Sequence, residues 1–213
     1  VHHIVERGAD WFKSLGLTET AGTKLYGVSG RVRNPGCWEL PIGTTVREIL
    51  EEYAGGMEAG YSLRGFLPGG GSTDFLVEEH LDLAMDYDTI GKAGSRMGTG
   101  TMIVLDDRTC PVGFVKNLTE FFARESCGFC TPCRDGLPWS AQVLDDIENG
   151  RGIPEDLDTL QRQVEFIGAI GNTHCALAPG AMEPIQSALR YFRADFERHI
   201  DGAGCPYCDG GQH

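Results

Sequence analysis

Three cysteines within seven residues constrain this 213-residue chain more than any other feature: Cys127, Cys130 and Cys133 in Glu125-Ser126-Cys127-Gly128-Phe129-Cys130-Thr131-Pro132-Cys133-Arg134. They lie too close together to staple distant loops as disulfides, and a regular helix would rotate them apart. The chain must therefore curl around something. Thiolates at C-x-x-C-x-x-C spacing can wrap one face of a cubane in which each iron takes one sulfur. Gly128 removes a Cβ where backbone would pass close to inorganic sulfide, and Pro132 biases the chain away from continued helix. A fourth ligand has to come from elsewhere, and Cys175, in Asn172-Thr173-His174-Cys175-Ala176, is the candidate. The spacing favours a [4Fe–4S] cluster that passes single electrons. Tetrahedral zinc on the same four thiolates is the competing reading, because C-x-x-C elements serve zinc too, although its sites usually come as two separated pairs.

The wider composition narrows the field. Eight cysteines clustered in this way point to metal or redox chemistry in a reducing compartment, not to a secreted disulfide framework. A formal net charge of -13 argues against nucleic acid, whose binding rests on a surplus of Lys and Arg facing phosphate. No stretch approaches the roughly 20 apolar residues of a spanning helix, and no basic segment followed by an apolar run opens the chain. The expectation is a soluble protein without a transmembrane segment or visible targeting signal.

Periodicity divides the chain. Residues 1–17 suggest a short helix and a turn, with the look of an ending. Lys24–Val32 alternates like a strand, Asn34-Pro35-Gly36 turns, and Cys37–Leu40 returns, which makes a hairpin. Thr44 or Thr45 can cap a helix whose apolar face is Val46, Ile49, Leu50 and Tyr53, stopped by Gly55-Gly56. Phe66-Leu67 and Thr101–Leu105 supply two more strands, giving a small α+β unit of the β-grasp kind. Beyond Cys110-Pro111 the pattern turns helical: Val115, Leu118, Phe121 and Phe122; Leu144 and Ile147; Leu157, Leu160, Val164 and Ile167; and a last helix over Ala181–Ile200. The expected fold class is therefore α+β, a small β-grasp domain followed by a four-helix bundle that carries the cluster.

These residues resemble a known family. ESCGFCTPCRDG, with NTHCALAPG downstream, is similar to the cluster-binding C-terminal region of the flavoprotein subunit of NADH:quinone oxidoreductase (respiratory complex I) and its relatives in NAD-linked hydrogenases and formate dehydrogenases. KLYGVSGRVRNPGCWELPIGTTVREILEEYAGG and FLPGGGSTDFL resemble the soluble-ligand-binding β-grasp (SLBB) domain that precedes it, and GADWFKSLG resembles the end of the flavin domain. The resemblance implies four segments: 1–17, the end of a flavin domain; 18–108, the β-grasp domain; 109–200, the helical cluster domain; and 201–213, a Gly-rich C-x-x-C tail. It implies Cys127, Cys130, Cys133 and Cys175 as cluster ligands. The cluster would accept electrons from FMN, itself reduced by NADH, and send them toward clusters of partner iron–sulfur subunits in a respiratory or hydrogenase-type complex, and finally to quinone. The family's flavin and NADH loop should lie before Val1, so no residue here is assigned to FMN or NAD(H), and the chain alone is not expected to oxidise NADH. The implied location is peripheral, on the inner, cytoplasmic or mitochondrial-matrix, face of an energy-transducing membrane. A zinc-stabilised interaction or ligand-binding module without redox role is the alternative.

Other features remain open at this level. Pro68-Gly69-Gly70-Gly71-Ser72 lacks the Lys of a phosphate loop and reads as a structural turn. Gly91–Gly100 reads as an irregular loop. Lys116, Arg124 and Arg134 could offset cluster charge or form a solvated face, and the imidazole of His174 could donate to cluster sulfur and couple its potential to pH, or face solvent. Cys205 and Cys208, with Asp209, His213 and His199 near, could hold a second metal, act as a dithiol pair or sit idle in a tail. Cys37 and Cys110 read as small structural residues.

Overall fold

The computed structural model describes residues 1–202 and 204–207. The chain forms two compact units, Val1–Asp107 and Arg108–His213, a mixed α+β architecture. The first unit opens with two short helices, α1 (His2–Arg7) and α2 (Ala9–Lys13), where a single one was expected. Gly8, at φ 90°, divides them, because that left-handed backbone cannot continue a helix.

A four-stranded sheet follows, of β1 (Thr23–Ser29), β2 (Gly36–Pro41), β3 (Leu63–Leu67) and β4 (Thr101–Asp106), ordered β2-β1-β4-β3. The outer pairs are antiparallel and the central pair, β1 with β4, is parallel. Thr45 caps α3 (Val46–Glu48) in a capping box with Glu48, after which the backbone widens into a π-helical turn over Ile49–Tyr53. That widening turns Tyr53 toward solvent, so the buried face consists of Val46, Ile49 and Leu50. They pack with Tyr26, Val28, Phe66 and Met102 of the sheet. The phenol of Tyr26 donates to the carbonyl of Met85 at 2.5 Å, and burial pushes its pKa up to about 12. Sequence periodicity missed α4 (Tyr87–Lys92), capped by Asp86, whose carboxylate accepts from Thr89 N–H at 2.7 Å. The turn at Pro68–Ser72 packs Gly69 under the backbone of Met97 and Gly98, where a Cβ would come within 2.5 Å of the Met97 carbonyl oxygen.

The second unit is helical: α5 (Pro111–Glu125), α6 (Leu137–Glu148), α7 (Glu155–Ile167), α8 (Leu177–Tyr191) and α9 (Arg193–Asp201). The expected last helix, Ala181–Ile200, is two helices, broken where Phe192 leaves helical geometry at φ -123°. Both halves bury the anticipated residues, Ile185, Leu189, Phe192 and Phe196. On α5 the buried stripe is Val112, Val115 and Thr119, while Phe121, expected inside, faces solvent. No described helix is long and apolar enough to cross a membrane.

Candidate metal centre

The cysteine triplet begins where α5 stops. Ser126 turns extended and its hydroxyl accepts from Gly128 N–H at 3.1 Å, with Gly128 at φ 75° and open space where a Cβ would be. The carbonyl of Cys130 accepts from the N–H groups of Cys133 at 3.1 Å and Arg134 at 2.8 Å, which winds the chain back into helix. Pro132 therefore does not turn the chain away from helix. It starts a π-helical turn, Pro132–Gly136, where its missing N–H has no intrahelical role. This wide turn runs straight into α6, and π-turns of this kind recur at functional sites. It leaves Cys133 buried, Cys130 half-buried and Cys127 exposed.

The loop between α7 and α8 carries Cys175 to the same end. Asn172 donates to the Phe166 carbonyl at 2.7 Å and Thr173 to the Cys175 carbonyl at 2.9 Å, which shapes the loop. The donor to Cys130 Sγ is the backbone N–H of His174, at 3.4 Å across 44 residues of sequence, and not the imidazole that the sequence suggested, whose ring packs on Phe129 with centroids 5.3 Å apart. The two sequence fragments thus meet.

Their spacing carries chemical information. No three of the four sulfurs lie within 4.8 Å of one another. A tetrahedral zinc ion with Zn–S bonds of about 2.3 Å needs its sulfurs about 3.8 Å apart. A cubane seats each thiolate on a different iron and spaces them wider. Around this loop Arg134 donates to the Gly128 carbonyl at 3.4 Å, and Arg124 pairs with Glu125. Lys116 is committed elsewhere, to Asp145 at 2.7 Å and Glu148 at 2.9 Å. Burial opposes its charge, but the two carboxylates hold its ammonium well above the ordinary lysine range.

A second group, of quite different geometry, joins Cys110, His199 and Cys205, whose ligand atoms all lie within 4.8 Å of one another. Cys110 caps α5, its sulfur accepting from Gly113 N–H at 3.3 Å and facing His199 Nε2 at 3.2 Å. Burial pushes the Cys110 thiol up and the His199 imidazole down from their usual ranges. Sequence reasoning placed His199 near Cys205 but took Cys110 for a structural residue, because 89 residues separate it from His199 and no local spacing announces the pair. Cys208 lies outside the described residues.

Residues 113–199 match the family model of the NADH-ubiquinone oxidoreductase-F iron-sulfur binding region. The chain carries that iron–sulfur binding region. An SLBB domain model matches residues 25–75 in the first unit. Among curated relatives, the F subunit of NADH-quinone oxidoreductase from Escherichia coli (strain K12) is 56% identical over 197 residues, 92% of this chain and 44% of the relative. Its namesake in Buchnera aphidicola subsp. Acyrthosiphon pisum is 52% identical over 198 residues, 93% of this chain and 44% of the relative. The chain thus spans less than half the length of these proteins. In a crystal structure of NAD+-reducing [NiFe]-hydrogenase in the H2-reduced state, one chain superposes with a TM-score of 0.79 at 30% identity, over 96% of this chain and 33% of that one. The iron–sulfur region takes in the triplet, Cys175 and His199, and stops short of Cys205.

Proposed function

We propose that Cys127, Cys130, Cys133 and Cys175 hold one [4Fe–4S] cluster, through which the chain relays single electrons within an NADH-quinone oxidoreductase. When bound, such a cluster takes up and gives up one electron at a time. The observation that carries the reading is the seating of the Cys175 loop on Cys130 within the matched iron–sulfur region. The residues around it do the tuning. The His174 N–H bond to Cys130 Sγ favours the electron-rich, reduced state, and the guanidinium of Arg134 adds positive charge beside the loop; both raise the reduction potential. Buried Cys133 shields one edge from water, while exposed Cys127 and Cys175 leave another edge open toward an electron partner.

In this proposal electrons arrive from FMN reduced by NADH in a flavin domain, of which residues 1–17 are the end. They leave toward clusters of partner iron–sulfur subunits and on to quinone, on the inner face of an energy-transducing membrane. The strand order β2-β1-β4-β3 supports reading residues 18–108 as a β-grasp domain, and the helices of residues 109–200 form a bundle around the cluster cysteines, followed by the tail at 201–213. The full chain, purified without oxygen, is expected to be brown, to contain about four irons and four labile sulfides, and to give a one-electron paramagnetic signal on reduction. It is expected to hold no flavin and to leave NADH unoxidised. A colourless chain with stoichiometric zinc on the triplet would overturn the proposal.

A further inference from the structure

Apart from the four cysteines assigned to the cluster, Cys110, His199 and Cys205 converge in a way the electron relay does not use. His199 is fully buried, and its Nδ1 lies 2.6 Å from the Asp195 carbonyl oxygen. A carbonyl only accepts, so Nδ1 carries the proton and the lone pair of Nε2 is left pointing at Cys110 Sγ, 3.2 Å away. This is how a metal-ligating histidine is prepared: the far nitrogen is fixed by a backbone carbonyl and the near one is bare. Tetrahedral zinc between a sulfur and an imidazole nitrogen separates them by about 3.5 Å, so the site needs only a slight widening.

The third donor is held in place by contacts of its own. Gly204 N–H donates to the His199 carbonyl at 3.0 Å. On the other side of Cys205, the Tyr207 hydroxyl donates to buried Asp195 at 2.5 Å, its ring stacks on His199, and Arg198 pairs with the same carboxylate. Cys205 is thus pinned from both flanks against Cys110. We propose that Cys110, His199 and Cys205 bind a zinc-type divalent ion that fastens the chain after α9 to the start of α5. On binding, the two thiols release their protons to solvent, and the ion takes one lone pair from each sulfur and from Nε2. Two thiolates, a neutral imidazole and a divalent ion sum to zero charge, a balance that suits a half-buried group around fully buried His199.

The test adds Zn(II) alone to the full chain, removes loose metal by gel filtration, and counts zinc and iron separately. The expected result is about one tightly held zinc per chain, with a zinc absorption-edge spectrum showing both Zn–S at about 2.3 Å and Zn–N at about 2.0 Å. Cys205→Ser, in the half-buried segment and away from the helix core, is expected to lose zinc at least tenfold with iron unchanged. Cys37→Ser, on β2, is expected to leave zinc unchanged. Wild-type chain that retains no zinc, a zinc shell of nitrogen and oxygen only, a Cys110–Cys205 disulfide found by mass spectrometry, or full zinc in Cys205→Ser would each overturn the proposal. Because iron and zinc are counted apart, failure here is distinguishable from failure of the cluster assignment.

Discussion

The helical unit contains two groups of cysteines that the same element composition makes look alike and geometry sets apart. At the end of α5, four cysteines from two segments are brought together, no three of their sulfurs lie within 4.8 Å of one another, and two of the residues face solvent. At the start of α5, two sulfurs and a buried imidazole nitrogen crowd within 4.8 Å, with a backbone carbonyl fixing the histidine. The first arrangement suits a bulky inorganic group exchanging electrons with another protein. The second suits a single ion whose role is to hold. Distance between donors, more than their identity, separates the two chemistries.

The sharpest way to break this comparison is Cys133→Ala. It is expected to abolish iron binding, seen as loss of the visible absorption and of the reduced-state paramagnetic signal, while zinc retained at Cys110, His199 and Cys205 stays at its wild-type level. Simultaneous loss of both metals from a folded chain would show that the two sites are not separate. Phe196→Ala comes next. Phe196 is fully buried on α9, one turn before His199, and its truncation is expected to cost about 3–5 kcal/mol in denaturant unfolding. In the chains that remain folded, zinc affinity is expected to fall and iron content to hold.

The unequal legibility of the two groups follows from sequence distance. The triplet announced itself because its residues are neighbours, and Cys175 could be joined to it because two helices with short connections bring a loop back to the same end. Cys110 gave no such signal, since its partners lie at the far end of the unit and only the break at Phe192, which turns α9 back toward α5 and α6, brings them together. That break was itself hidden: the apolar periodicity runs through Phe192 without interruption, and all four marked residues are buried on either side of it. Pro132 misled for a related reason. A proline warns against helix interior but is equally at home in a first turn, and nothing local distinguishes the two until the backbone is seen. In the first unit, strand positions were readable from alternation, whereas the π-helical widening at Ile49–Tyr53 was not, because its apolar spacing also fits an ordinary helix.

The smallest expected effect concerns the ion network near the tighter group. The ammonium of Lys116 and then the guanidinium of Arg151 hold the Asp145 carboxyl below its ordinary value of 3.8. A carboxylate depressed on folding stabilises the native state above its unfolded pKa, and that contribution disappears as pH falls through the folded value. Thermal melts of Asp145→Asn are therefore expected to lose less stability than wild type between about pH 5 and pH 2, by no more than about 1 kcal/mol for a partly exposed network. An identical acid dependence in the two proteins would remove Asp145 from the set of groups that couple α5 to α6.

The bond from His174 N–H to Cys130 Sγ also sets an order in time. It closes 44 residues of chain, and drawing the ends of such a loop together costs about 3 kcal/mol in conformational entropy before any contact repays it. The triplet needs no comparable closure. The three thiols are therefore neighbours from the moment the segment is made, whereas Cys175 joins them only when the intervening chain has folded. Bringing the fourth cysteine to the other three is thus the same event as closing α6 and α7 into the helical unit, so completing the set of four sulfurs and completing that part of the fold are linked.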